Sequence, residues 1–223
     1  MKLSSTTLAM LLADSRLPVG AHVVSNGLEA ALRGGMAPEL APEYMCARMA
    51  TTVLVEAGTA IVTRALVAAG EIERIARVRS EWEARTPSRA LREIAIALGD
   101  GLARMGRTVW PESLLAGSLP ARGLPRPLVL GVLAAEQGLE AGDLARLVAY
   151  EDAQTVAAAL LKLEPLDPAT AVRWALEACE YFEAYAPSVT VLTEPEAIPA
   201  FSGPQIEEWA EAHTSLERRL FRA

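Results

Sequence analysis

The chain has little of what metal and thiol chemistry needs: its 223 residues include two histidines and two cysteines. His22, His213, Cys46 and Cys179 lie far apart, and neither an HExxH helix nor paired CxxC turns occur, so no metal-ligand spacing is present. Isolated thiols fit a reducing compartment better than a disulfide framework. Phosphate-binding loops are missing as well. There is no GxxxxGK[ST], and GxGxxG fails at every glycine cluster, including Gly99-Asp100-Gly101, which argues against nucleotide hydrolysis by this chain alone. No GxSxG nucleophile turn is found. Glu151-Asp152 and Glu207-Glu208 are adjacent carboxylates, but helix neighbours diverge by about 100°. They read as solvated positions, and no catalytic set, metal site or cofactor is expected.

Positive charge is also scarce. Against 28 Asp+Glu stand 21 Lys+Arg, a net charge of −7, and the basic residues are scattered. General nucleic-acid binding needs a basic field and is excluded on this balance, as is a transcriptional regulator with a basic recognition helix. No stretch reaches the ~20 uninterrupted apolar residues of a bilayer span. The best candidate, Thr51 to Gly70, carries Glu56 and Arg64, and the apolar run Leu8 to Ala13 is short and followed by Asp14 and Arg16. The reading is a soluble cytoplasmic protein without a membrane partner.

What the chain does have is alanine, 42 residues, with aromatics at only 5%. Alanine loses no side-chain entropy in a helix, whereas strands favour branched and aromatic residues. Helical periodicity dominates, and the expected fold is all-α, a single-domain bundle of roughly eight to ten helices. A first helix spans Thr6 to Ala13, and a second runs from Ser25 as N-cap to Gly34-Gly35. A long apolar segment, Glu43 to Ala69, is followed by helices over Glu71 to Arg85 and from Pro87 through Met105. Gly117 to Pro127 is a loop; Pro127 to Gln137, Ala141 to Leu163 and Pro168 to about Tyr185 are helical. No fixed-period repeat appears.

Residues 187–223 differ in kind, and the expected division is a helical core over 1–186 followed by a linker and C-terminal tail. Pro187 to Pro204 holds four prolines and reads as extended. Beyond it Ile206, Trp209, His213, Leu216 and Leu220 recur at steps of three or four, an apolar stripe on a final helix. Such a stripe either docks on its own core or anchors a partner, since Trp, Arg and Phe are enriched at interface hot spots.

Two end motifs carry a family resemblance. Leu17-Pro18-Val19-Gly20, then Ser25-Asn26-Gly27-Leu28-Glu29, resembles the LPVGxxxxSxGLE opening of the UreF-type urease accessory proteins. His213 followed by Arg219-Leu220-Phe221-Arg222 is similar to that family's tail ending in RLFR. Weaker correspondences are Arg92-Glu93, Leu98-Gly99 and Leu102, and Ala159, Lys162, Pro165 and Leu166. Departures mark a divergent member: His22-Val23-Val24 replaces a commonly aromatic-Ser-aromatic triplet, Val156 a frequent Gln, Asp167-Pro168 a Gly-Gln pair, and Thr214 an acid.

The resemblance implies a non-enzymatic assembly factor, all-α and typically dimeric. It would join a second accessory protein (UreD, also called UreH) and a nickel-carrying GTPase (UreG) on urease apoprotein. Trp209, His213, Leu216, Arg219, Leu220, Phe221 and Arg222 are then candidates for docking the second accessory protein, and Glu29, Glu93 and Lys162 for the GTPase-facing surface. The His22 loop would shape the dimer or the entrance to a nickel path. The competing class is a helical enzyme or small-ligand binder with a site built around His22 and His213.

Overall fold

The computed structural model describes residues 3–14, 17 and 23–221, and among these every regular element is helical. α1 (Ser5–Ala13) opens on Ser4, whose Oγ accepts from the Thr7 amide at 3.1 Å. α2 (Leu28–Arg33) starts later than the Ser25 cap predicted, because Asn26 and Gly27 take φ of +53° and +83° and turn the chain first. It ends at Gly34, as expected.

The long apolar segment is divided into α3 (Ala41–Met49) and α4 (Thr52–Ala69). At the joint Thr51 has φ −129° and ψ −93°, and its hydroxyl donates to the Ala47 carbonyl at 2.6 Å. α5 (Ile75–Ala84), α6 (Arg89–Val109), α7 (Arg126–Gln137), α8 (Ala141–Leu163) and α9 (Pro168–Phe182) follow close to the periodicity reading. α10 (Ala186–Val189) is a single turn, and α11 (Pro204–Thr214) is the last helix.

α4 is the central helix and packs on α5, α7 and α8. Its residues Ala57 to Thr63 are all buried. Small residues set the spacing: a Cβ on Gly131 of α7 would lie 2.4 Å from the Ala60 carbonyl oxygen, so the two backbones approach as only glycine permits. α8 packs on α9, which buries Ala171, Ala175, Ala178 and Phe182 on one face. Each fully buried Leu or Phe contributes about 1.5–3 kcal/mol relative to exposure. Pro38–Ala69 is the one helical stretch among the described residues long and apolar enough to cross a bilayer, and 61% of its most apolar window is buried inside the protein.

The segment expected to be extended is instead a strap across α5. Pro195 and Ile198 are buried, Arg74 pairs with Glu194 at 2.5 Å, Arg77 with Glu196 at 2.9 Å, and Arg85 Nε donates to the Ile198 carbonyl at 2.7 Å. α11 then rests on α2 and α6. Glu211 fixes it there, accepting from Ser88 Oγ (2.6 Å) and the Ala90 amide (2.9 Å) at the start of α6. These bonds hold its carboxyl below the ordinary range, and the helix N-terminus favours the anion.

Candidate functional site

The two motif-bearing ends of the chain meet at one buried carboxylate. Glu29 on α2 has 0% exposure. Its Oε1 accepts from the Leu220 amide (2.7 Å) and Arg33 Nη2 (2.8 Å); its Oε2 accepts from the Phe221 amide (3.0 Å) and His213 Nε2 (3.2 Å). Burial pushes this carboxyl upward. The two amides, with His213 and Arg33, outweigh burial and hold it below the ordinary range. His213 is 1% exposed, and its Nδ1 has no partner among the described residues.

The apolar stripe therefore does not run on as helix to Leu220. α11 ends at Thr214, and the chain bends so that consecutive amides reach Glu29. Phe221 is buried, with Lys162 Nζ 5.1 Å from its ring centroid, whereas its neighbour Leu220 is 59% exposed. Trp209 is half-buried against Tyr44, ring centroids 5.6 Å apart. Leu216 is half-buried, and Arg219 and Lys162 are exposed. Glu93 is exposed on α6, paired with Arg89 at 2.7 Å. His22 and Arg222 lie outside the described residues. Thus the own-core alternative applies to Phe221 and His213, while Leu220 and Arg219 face outward.

Beside this seat lies a cavity of about 310 Å³, with Phe221 in its wall. Leu91, Ile94 and Leu98 of α6 make one side apolar. The other side is ionic. Arg48 of α3 clamps Asp152 of α8 through Nε (2.8 Å) and Nη2 (2.6 Å), and its Nη1 donates to the Asn26 carbonyl at 3.2 Å. Asn26 Nδ2 donates to Asp152 at 2.9 Å, which ties the α2 turn to both helices. Arg126 of α7 pairs with Glu151. Burial pulls the Arg48 guanidinium downward, and Asp152 beside it more than offsets this and holds it above its ordinary range. Glu56 of α4 is pushed up to about 7 by burial and by Asp152, against the pull of Arg48 and Arg126.

Glu151 and Asp152, expected on a solvated face, instead line this wall. Their divergence around α8 is real and is what lets one meet Arg126 and the other Arg48. Sequence reasoning did not single out Asn26, Arg48, Glu56 or Arg126; the partners of Arg48 lie 22 and 104 residues away, beyond any local pattern. Among the described residues no group of three His, Cys, Asp or Glu side chains could hold a metal ion. The alternative site around His22 and His213 has His213 committed to Glu29.

The UreF family profile matches residues 39–179. Urease accessory protein UreF of Mycolicibacterium vanbaalenii is 36% identical over 228 residues, covering 98% of this chain and 99% of that protein. The UreF proteins of Mycobacterium sp. strain JLS (34% over 226 residues, 98% and 99%) and Mycobacterium tuberculosis strain H37Rv (34% over 224 residues, 97% and 99%) are similar over the same extent.

Proposed function

The chain belongs to the UreF family and is a urease accessory protein, and from that premise we propose that it acts as a cytoplasmic, non-enzymatic scaffold. In this reading it bridges UreD/UreH and the GTPase UreG on urease apoprotein during nickel insertion, works as a homodimer, and biases the GTPase by binding its nucleotide states unequally. A scaffold needs rigid, separately addressable surfaces, and no reactive centre.

The observation that supports it best is the seat of the tail. Glu29 fixes Leu220 and Phe221 by their backbone amides, which leaves the Leu220 side chain outward beside the exposed Arg219. An anchored apolar side chain with a basic neighbour is a preorganised docking element, so a partner pays less ordering entropy on meeting it. Trp209 and Leu216, half-buried on the same arm, extend this surface for the second accessory protein. Glu93 and Lys162, both exposed, are assigned to the GTPase-facing side, with Glu29 acting through the tail that it holds.

Co-expression with the cognate accessory protein tests this. Deleting Ala212 to Ala223 is expected to abolish co-purification. Because that deletion also removes buried Phe221, Leu220→Asp and Arg219→Glu, which alter exposed side chains, are made alongside and are expected to weaken the complex without lowering thermal stability. An undiminished complex in all three variants overturns the docking assignment.

A further inference from the structure

Among the described residues, Glu56 is the carboxyl of the cavity wall with neither a hydrogen bond nor an ion pair. The cations near it are committed elsewhere. Arg48 spends Nε and Nη2 on Asp152 and Nη1 on the Asn26 carbonyl. Arg126 holds Glu151 through Nη2, and its Nη1 reaches no acceptor among the described residues. Lys162, the remaining cation of the wall, stands about 16 Å further along α8 than Glu151 at about 1.5 Å per residue. Asp14, after α1, is the last ionisable group of the wall and has a partner of its own. A proton therefore neutralises Glu56, and burial and Asp152 raise it to about 7. The rest of the cavity suits an apolar chain. Leu91, Ile94 and Leu98 of α6, all half-buried, form a row about 10 Å long. The Leu98 end of this row is the ionic end, because Gly99 lies so close to Arg126 that a Cβ there would come within 2.7 Å of the Arg126 amide nitrogen. At the α8 edge Ala158 and Lys162 are exposed, so the cavity opens to solvent. Its 310 Å³ holds about ten non-hydrogen atoms at about the 30 Å³ of a water each.

We propose that this cavity is a binding site for a small primary aliphatic amine, whose ammonium group takes the place of the proton on Glu56 while its chain lies along Leu98, Ile94 and Leu91. The exchange balances: the Glu56 acid and the ammonium ion become a carboxylate–ammonium pair, one proton leaves to solvent, and no other bond changes. An aliphatic ammonium stays charged throughout, since such amines titrate near 10.4. The Arg48–Asp152 and Arg126–Glu151 pairs are already formed and need no rearrangement. A carboxylate in the same place would add negative charge beside Asp152, which already disfavours charge on Glu56. The site needs nothing of the docking role given to the tail.

Calorimetric titration of the full chain with n-hexylamine tests this. Only ionised Glu56 pairs with the ammonium, so the affinity should fall about tenfold from about pH 8 to about pH 6. At the acid end, buffers of different ionisation enthalpy should report the release of close to one proton per ligand. Glu56→Gln should remove both the pH dependence and the proton release and weaken binding by about tenfold or more, the loss expected when an ammonium meets an amide in place of a carboxylate. Ile94→Ala, which shortens the apolar row, should weaken binding at both pH values and leave the proton release intact. Hexanamide and hexanoate, of the same length, should bind more weakly than the amine. No saturable binding of hexylamine at the alkaline end overturns the proposal. So do an undiminished affinity in Glu56→Gln, an affinity that does not change with pH, and hexanoate binding as tightly as the amine. A lysine side chain of a partner carries the same ammonium on an apolar stem. Hexylamine added to the co-purified complex separates the two sources: it displaces the partner if a lysine fills the site, and leaves the complex intact if the site takes a free amine.

Discussion

Glu56 is a carboxyl held where a carboxylate is costly, and replacing it with glutamine should stabilise the protein above neutral pH. Burial and Asp152 lift it from an ordinary 4.5 to about 7, against Arg48 and Arg126. Moving a carboxyl that far corresponds to about 3 kcal/mol at about 1.4 kcal/mol per pH unit. Between these two values the unfolded chain has released the proton and the folded chain still binds it, so stability falls as pH rises through the window and levels off beyond it. Glu56→Gln keeps the shape and removes the titration. Urea unfolding of both proteins from about pH 4 to about pH 8 should give similar midpoints at the acid end and a variant more stable by up to about 3 kcal/mol at the alkaline end. Glu29, whose carboxyl is lowered, contributes an opposite slope at acid pH, but both proteins share it and it cancels in the difference. A difference that stays constant across the range refutes the assignment of the cost to Glu56.

Two further outcomes follow from the buried charges. Arg48→Met leaves Asp152 in the wall with Asn26 alone and should cost about 3–5 kcal/mol in chemical denaturation, since the uncompensated carboxylate, not the lost pair, dominates; a loss under about 1 kcal/mol means that solvent reaches Asp152 freely. Glu29 is lowered in the folded chain, so its grip on the tail is complete above the ordinary carboxylate range and is lost as pH falls through the lowered value. Exchange protection at the Leu220 and Phe221 amides, corrected for intrinsic rates, should fall in that acid range, and protection that instead declines toward alkaline pH contradicts the bonding to Glu29.

Most of the fold was legible because it is written in local signals. Ala141 to Leu163 could be read with its ends correct: alanines and leucines recur at helical spacing, and Pro165 follows the end. Pro87 stands just before the start of α6, and Gly34 ends α2. What escaped was set by contacts far along the chain. Nothing near Pro187 to Pro204 announces that arginines of the α5 region will hold the strap. Nor does an Arg on α3 declare that it will meet an Asp on α8, so the ionic wall of the cavity was invisible while its apolar residues Leu91, Ile94 and Leu98 were readable as one face of α6.

The tail is where local and distant signals compete outright. Periodicity through Leu216 and Leu220 favours continuing α11, and a backbone hydrogen bond in a helix is worth about 0.5–1.5 kcal/mol net. A hydrogen bond to a buried carboxylate is worth about 1.5–3 kcal/mol, and Glu29 takes both the Leu220 and Phe221 amides. The carboxylate would otherwise be buried with only Arg33 and His213, so the cost of leaving it under-satisfied adds to the same side. The helix therefore stops at Thr214, and the apolar stripe splits: Phe221 goes inward and Leu220 outward. Removing the charge at Glu29 should thus do more than weaken a contact, because it withdraws the reason that the two ends of the chain share one place and hands the choice back to helix propensity.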